Sequence, residues 1–223
     1  MKHQVLSKTV EGRAIELYSS ARVGSFRSRV LIKAGVHGDE PEGVQLLERF
    51  LKEKYFEKFH QDAFWSILPT SNPDGVALSQ RVNANGVDLN RNFPSSDWSS
   101  EIRASRYHPG PHAGSELETQ NICRLVEQIR PSLIISLHNY QPMVNVNGDC
   151  GVAAEVLARL TGYPITNDMG YETPGSFGRW AWEQCKVPTI TLEIEDKVGI
   201  DAIWPRFGEA LVEAVNAHTE ALH

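Results

Sequence analysis

The sequence predicts an α/β protein of one domain, with a doubly wound, mostly parallel mixed sheet and helices on both of its faces. Short aliphatic runs that are typical of buried strands alternate with longer amphipathic segments that are typical of helices. The chain has 223 residues and is 41% hydrophobic, which suits one α/β domain with a sizeable core. We therefore expect residues 1–223 to form a single domain.

Four aliphatic runs predict the strands of this sheet. They are 29–36 (RVLIKAGV), 64–68 (FWSIL), 133–137 (LIISL) and 189–194 (TITLEI). The second run ends at Pro69 and is followed by the turn-forming residues of 72–75.

Helices are expected between and after these strands. One begins at Pro41, and a capping box formed by Ser115 and Glu118 predicts the start of another, which Pro131 ends. Further helices are predicted over 152–160, 175–185 and 207–221. Residues 79–115 are rich in Asn, Ser, Pro and Gly and predict one long irregular segment, and loops of that length are usually functional.

Composition excludes several classes of protein. A net charge of −6 gives no reason to expect nucleic acid or an anionic membrane as a partner. No apolar run approaches the roughly 18–20 residues that span a bilayer, and no secretory signal or pro-segment is expected. The three cysteines include no C-x-x-C pair, which disfavours a disulfide scaffold and a thiolate zinc site. A cytoplasmic location is the resulting expectation.

Four polar residues stand at or near the carboxyl ends of predicted strands: His37, Glu40, His138 and Glu193. Ligands of open α/β sheets bind at this edge, so residues far apart in sequence can converge there. Two histidines and one carboxylate are a typical ligand set of catalytic zinc, with Glu193 as a base that does not bind the metal. The pattern does not distinguish Glu193 from Glu195 for that role.

Simpler interpretations exist for each of these residues. A single H-x-x-E pattern is weak evidence for a metal, and His138 alone could be a hydrogen-bonded core histidine. His108 and His112 also lie close in sequence, but the intervening 109–111 (PGP) prevents a shared helix face. We expect both of these histidines on the surface of a loop.

The segment 87–94 (VDLNRNFP) contains an arginine between two asparagines. The guanidinium of Arg91 can clamp a carboxylate with two parallel hydrogen bonds, and Asn90 can add another donor. Without the other motifs, a solvated loop would explain this composition equally well.

Taken together and in order, these motifs resemble the zinc carboxypeptidases of the carboxypeptidase A type. The resemblance covers about residues 29–195, and its segments 81–94 and 170–178 are most similar to the bacterial murein peptide amidases. Asn139 departs from that subgroup, in which an acidic residue is expected after the zinc histidine. The motifs are His37-x-x-Glu40, Asn72-Pro73-Asp74-Gly75, Asp88-Leu89-Asn90-Arg91-Asn92-Phe93, His138, Tyr171 and Glu193.

The resemblance implies a role for each matched residue. His37, Glu40 and His138 would bind one zinc ion per chain. The catalytic residues would be Glu193, as general base and then acid, and Arg81, which polarises the scissile carbonyl. A small peptide substrate with a free terminal carboxylate would be held by Asn90, Arg91 and Tyr171.

The implied reaction is hydrolysis of the γ-D-glutamyl–meso-diaminopimelate bond of murein tripeptide during recycling of cell-wall peptides. Three alternatives remain open at this point. The protein could be a zinc carboxypeptidase for other C-terminal residues, a deacylase of the aspartoacylase type, or a non-catalytic module that binds carboxylate peptides. The sequence predicts no particular oligomeric state.

Overall fold

Eight strands join in one sheet, whose central strands are parallel. A computed structural model describes residues 1–222 and gives the strand order β1-β2-β4-β3-β5-β8-β6-β7. The strands are β1 (Lys2–Lys8), β2 (Ala14–Ser19), β3 (Ser28–Lys33), β4 (Ala63–Leu68), β5 (Leu133–Tyr140), β6 (Met143–Asn147), β7 (Ile165–Thr166) and β8 (Thr189–Glu195).

The sheet is mixed, as predicted. Strand β3 pairs in parallel with β4 and β5, and β5 pairs in parallel with β8. The pairs β1–β2, β2–β4 and β6–β8 are antiparallel. Strands β1, β2, β6 and β7 lie outside the four aliphatic runs of the sequence. In β1 most side chains are exposed, so this edge strand has no apolar run that could have revealed it.

Helices cover both faces of the sheet, which confirms that part of the predicted fold. On one face α1, α4 and α6 pack against strand residues such as Val30, Ile32 and Leu192. On the other face α3 and α5 pack against Leu31 and Ile134. No helix within residues 1–222 is both long and apolar enough to cross a membrane. The helices are α1 (Pro41–Lys52), α2 (Pro73–Leu78), α3 (Leu117–Ile129), α4 (Gly151–Thr161), α5 (Phe177–Cys185) and α6 (Ile200–Ala221).

Three local predictions were wrong. The predicted turn at 72–75 opens α2, where the side chain of Asn72 accepts a hydrogen bond from the Gly75 amide at 2.9 Å. The predicted capping box does not form, because Ser115 donates its hydroxyl to the carboxylate of Glu116 instead. The last helix, predicted over 207–221, begins at Ile200 and contains Pro205.

Candidate active site

The carboxyl ends of three central strands meet at one cleft. His37 follows β3 by four residues, His138 lies on β5, and Glu193 lies on β8. His138 and Glu193 are direct neighbours in the parallel register of β5 and β8, so their side chains point to the same face. All three line a cavity of about 1530 Å³ that also includes Glu40.

His37, Glu40 and His138 form a compact group of metal-ligating side chains. One potential ligand atom from each lies within 4.8 Å of the others. The Nδ1 atom of His37 is 2.6 Å from Glu40 Oε1, and that of His138 is 3.1 Å from Glu40 Oε2. Although burial opposes ionisation, the two imidazoles hold the pKa of Glu40 well below its usual range. Two imidazole nitrogens and an anionic carboxylate are the donor set of an open catalytic zinc site, so these residues fit that ion.

Asp88 contacts His37 on the ring nitrogen that does not face Glu40. Its Oδ1 lies 3.1 Å from Nε2 of His37, and both side chains are buried. Because an ionised carboxylate can only accept a hydrogen bond, Asp88 favours a proton on Nε2, so Nδ1, which faces Glu40, is the nitrogen that can bind a cation. Asp88 also accepts from Nε of Arg81 at 2.8 Å and from the backbone amide of Asn90 at 2.9 Å. One carboxylate therefore positions a potential metal ligand and two residues of the cleft.

The turn that carries His37 and Glu40 requires a glycine between them. Its backbone passes so close to the start of α2 that a Cβ at Gly38 would overlap the backbone of Gly75. The amide of Gly38 donates to the carbonyl of Gln80 at 3.0 Å, which ties the turn to the long irregular segment. Close packing of two backbones thus fixes the spacing of the two potential ligands.

Glu193 and Glu195 have different surroundings. Glu193 is 4% exposed and lines the cavity, and its Oε2 has no hydrogen-bond partner within residues 1–222. Burial, together with the nearby charge of Glu40, raises the pKa of Glu193 to about 8. Glu195 instead binds Arg206, 2.6 Å away, and Tyr163. Of the two carboxylates, Glu193 is the one with a free oxygen at the cleft.

The residues of the irregular segment that line the same cavity include Arg81, Asn90 and Arg91. Asn90 accepts a hydrogen bond from the Phe177 amide through Oδ1 at 2.9 Å, which directs its NH₂ group elsewhere. Arg91 is buried and donates to the Asn90 carbonyl at 2.8 Å. The guanidinium carbon atoms of Arg81 and Arg91 lie 5.2 Å and 5.5 Å from the centre of the Tyr107 ring. These contacts place two cations and an amide on one wall.

Tyr171 and Asn139 complete the surroundings of the cleft. Tyr171 is 44% exposed and contacts the ring of Tyr140 edge-on, with centroids 5.6 Å apart. The backbone amide of Asn139 donates to Glu40 Oε2 at 3.2 Å, whereas its side-chain NH₂ group donates to the Glu195 carbonyl. Asn139 therefore supports Glu40 through a group that does not depend on its side chain.

Sequence reasoning identified neither Asp88 nor Asn139 as a support of the histidine cluster. Asp88 belongs to a motif of the irregular segment, but its contact with His37 spans 51 positions and depends on the fold. The competing histidines, His108 and His112, do not join the cluster. His112 is exposed, as expected, whereas His108 is half-buried because it accepts a hydrogen bond within the loop from the Gly110 amide at 3.0 Å.

Comparison with known proteins gives these features a family context. A family model described as zinc carboxypeptidase matches residues 1–152. Murein peptide amidase A of Escherichia coli K12 is 36% identical over 168 residues, which are 69% of this chain and 66% of that protein. The chain thus matches slightly less than two thirds of that relative's length. The enzyme of the same name from Vibrio campbellii is 35% identical over 84% of this chain and 77% of its own.

Solved structures show the same architecture. The murein-tripeptide amidase of Escherichia coli O157 superposes with a TM-score of 0.81 and 28% identity, over 97% of this chain and 92% of its own. Carboxypeptidase A of Helicoverpa armigera superposes with a TM-score of 0.79 and 19% identity, over 99% of this chain and 68% of its own. The second similarity concerns the fold alone.

Proposed function

The chain belongs to the zinc carboxypeptidase family, and from that premise we propose that it hydrolyses a murein peptide. The substrate is L-Ala-γ-D-Glu-meso-diaminopimelate, and the γ-D-glutamyl bond to diaminopimelate is cut during recycling of cell-wall peptides. One observation carries this proposal. The cluster of His37, Glu40 and His138 shares a cavity with the unpartnered carboxylate oxygen of Glu193 and with the guanidinium of Arg91.

His37 and His138 would hold one zinc ion through Nδ1, and Glu40 would hold it through its carboxylate. Zinc in such a site lowers the pKa of water to about 7 and polarises a carbonyl group. The protein contributes the orientation of the ligands. Asp88 fixes the tautomer of His37, and the Asn139 amide holds one oxygen of Glu40.

Glu193 is suited to move the proton. Its free oxygen can accept a proton from the attacking water and then deliver it to the leaving amine. Burial and the charge of Glu40 favour the protonated form of Glu193, so a cation held by the neighbouring ligands would restore its basicity. Glu195 cannot replace it, because its carboxylate is engaged by Arg206 and Tyr163.

The remaining cleft residues would bind the substrate. Arg91 and the NH₂ group of Asn90 would hold the terminal carboxylate, since charge-assisted hydrogen bonds are strong and directional. Arg81, fixed by Asp88, would stabilise negative charge that develops on the carbonyl oxygen. Tyr171 stands at the rim with its ring exposed and would close over the bound peptide.

A cytoplasmic location is part of the proposal. Cys123, Cys150 and Cys185 are unpaired thiols in the structure. Unpaired thiols are usual in the reducing cytosol, where peptides released from the wall would be met.

The test compares bond types and leaving residues. Purified zinc-loaded protein is incubated with the murein tripeptide and with α-linked peptides that end in Phe, Leu, Lys or Arg, and products are identified by mass spectrometry. We expect release of diaminopimelate to be fastest, and the Glu193→Gln protein to release it roughly 10²- to 10⁴-fold more slowly while keeping its zinc. Faster cleavage of an α-linked peptide would overturn the proposed substrate.

A further inference from the structure

A row of polar side chains crosses the sheet beneath the candidate active site. Lys33 on β3 is paired with Ser136 on β5, Ser136 with Thr191 on β8, and Thr191 with Asn145 on β6. Paired residues of neighbouring strands point to the same face, so the four side chains share one level of the sheet. His138 and Glu193 stand two residues further along β5 and β8 on that face. This polar row is therefore the level directly under the potential metal ligands.

Three members of the polar row line the cavity, and the fourth lies behind them. Ser136, Thr191 and Asn145 belong to the cavity wall, whereas Lys33 is 0% exposed. The Nζ atom of Lys33 donates to Ser136 Oγ at 3.0 Å and lies 4.5 Å from the centre of the Phe177 ring. Within residues 1–222 this ammonium donates no other hydrogen bond, although it carries three donors. A buried charge with one acceptor is costly, and burial lowers the pKa of Lys33 to about 7.

The hydroxyl of Ser136 lies between the ammonium of Lys33 and the cavity. Its oxygen accepts from Lys33, so its own hydrogen is left to donate to another group. No acceptor for that hydrogen is found among the described residues. A hydroxyl polarised by an ammonium is a strong donor, and an anion that accepted its hydrogen would also stabilise the charge on Lys33.

The other end of the polar row presents acceptors. Asn145 donates its NH₂ group to the Thr166 carbonyl at 3.3 Å, which leaves its side-chain oxygen available. The side-chain amide of Asn147 occupies the space that a side chain at Gly178 would fill, so a second polar group lies beside the polar row. The polar row thus has a positive donor at one end and amide oxygens at the other. This arrangement complements an amino-acid head group.

We propose that Ser136, polarised and positioned by Lys33, binds the second carboxylate at the far end of the leaving residue's side chain. The Lys33–Ser136 pair thereby selects a leaving residue that carries that carboxylate. Ser136 contacts the substrate, and Lys33 acts through Ser136 as a positioning residue. This inference rests on the proposed function, which supplies a leaving residue with two amino-acid heads.

Two tripeptides that differ in a single group test the inference. L-Ala-γ-D-Glu-meso-diaminopimelate and L-Ala-γ-D-Glu-L-Lys differ only by the distal carboxylate. For each peptide the quantity measured is kcat/KM. We expect Ser136→Ala and Lys33→Met each to lower the ratio of the diaminopimelate value to the lysine value by about 10- to 100-fold, mainly through a higher KM for the diaminopimelate peptide. Ser66→Ala is the matched control, since Ser66 is a serine of β4 that is equally buried at 1% exposed and does not line the cavity.

An equal loss for both tripeptides in Ser136→Ala and Lys33→Met would assign the pair a purely structural role and overturn the inference. Binding of free meso-diaminopimelate and free L-Lys, measured by calorimetry, provides a second readout. The wild type should prefer diaminopimelate, and both variants should lose that preference. If the wild type cleaved neither tripeptide, the proposed function would be wrong, and the binding preference would still decide the inference.

Discussion

The Nε2 atom of His37 lies 3.1 Å from the Oδ1 atom of Asp88, a residue 51 positions further along the chain. The contact is buried on both sides. It joins the first potential metal ligand to the long irregular segment, so the ligand cluster and the substrate wall depend on the same carboxylate. Changes at Asp88 should therefore affect metal binding as well as catalysis.

Asp88→Asn should weaken zinc binding by about 10- to 100-fold, because the proton on His37 Nε2 loses its charged partner. The affinity is measured by competition with a chromophoric chelator. Asp97→Asn is the control, since Asp97 lines the same cavity without contacting the ligand cluster. Equal zinc affinity in Asp88→Asn and the wild type would show that this contact does not support the metal.

His37→Ala and His138→Ala should each lose zinc and activity together, because each removes one of three ligands. Metal content is measured by plasma mass spectrometry, and the wild type should contain one zinc ion per chain. His112→Ala, a change at an exposed loop histidine, should retain both properties. Full zinc occupancy in the first two variants would refute the ligand assignment.

Glu193→Gln should keep the zinc and the fold but lose activity by roughly 10²- to 10⁴-fold, because the amide cannot accept the proton. Steady-state kinetics with the murein tripeptide measure the loss. Glu195→Gln is the comparison, and it should retain activity because Glu195 is held away from the cavity by Arg206. The reverse result would place the base two residues later.

Arg91→Ala should raise KM by about 10- to 100-fold for peptides with a free terminal carboxylate, since a charge-assisted pair is lost. Converting that carboxylate to an amide should have a similar effect on the wild type. The two changes should not add when combined, because each removes the same interaction. Equal turnover of free and amidated peptides by the wild type would contradict a carboxypeptidase-type mode of binding.

Lys33→Met should stabilise the zinc-free protein near neutral pH. Burial lowers the pKa of Lys33 from 10.5 to about 7, so between these values the unfolded chain binds more protons than the folded one. The contribution of Lys33 to the free energy of unfolding therefore rises with pH in this window, by up to about 1.4 kcal/mol per pH unit, whereas the raised pKa of Glu193 acts in the opposite direction below about pH 8. The variant lacks the contribution of Lys33, so its advantage in stability over the wild type should be large at pH 7 and small near pH 10.

Urea unfolding of the chelator-treated protein at several pH values measures this difference. Lys8→Met, at an exposed position on β1, should leave the pH dependence unchanged. An equal pH dependence of stability in the wild type and in Lys33→Met between pH 7 and 10 would mean that the buried amine keeps an ordinary pKa.

The central strands and the polar residues at their carboxyl ends could be predicted, because both depend on patterns of residues that are close in sequence. Runs such as 133–137 indicate buried parallel strands, and His138 follows directly. The start of α6 could not be found this way. Pro205 is a helix breaker by local rules, yet the helix continues through it because Ile203 and Phe207 on either side are buried in the core.

Contacts that depend on strand register or on long-range packing could not be predicted from the sequence. Lys33 looks like an ordinary strand-end lysine, and the pairing of β3 with β5 places its ammonium on Ser136. In the same way, Glu193 and Glu195 are alike as a pattern, and Arg206 of α6 separates their environments. The sequence can therefore place a charged side chain on a strand, but its interaction partner is known only once the fold is known.

The backbone hydrogen bond from position 139 to Glu40 has an evolutionary consequence. Every amino acid except proline carries that amide hydrogen, so a substitution at this position leaves the support of Glu40 intact. The residue next to His138 can then be substituted without loss of the ligand cluster. A different side chain at this position can therefore change the surface beside His138, and with it the preference among substrates, while the ligand cluster persists.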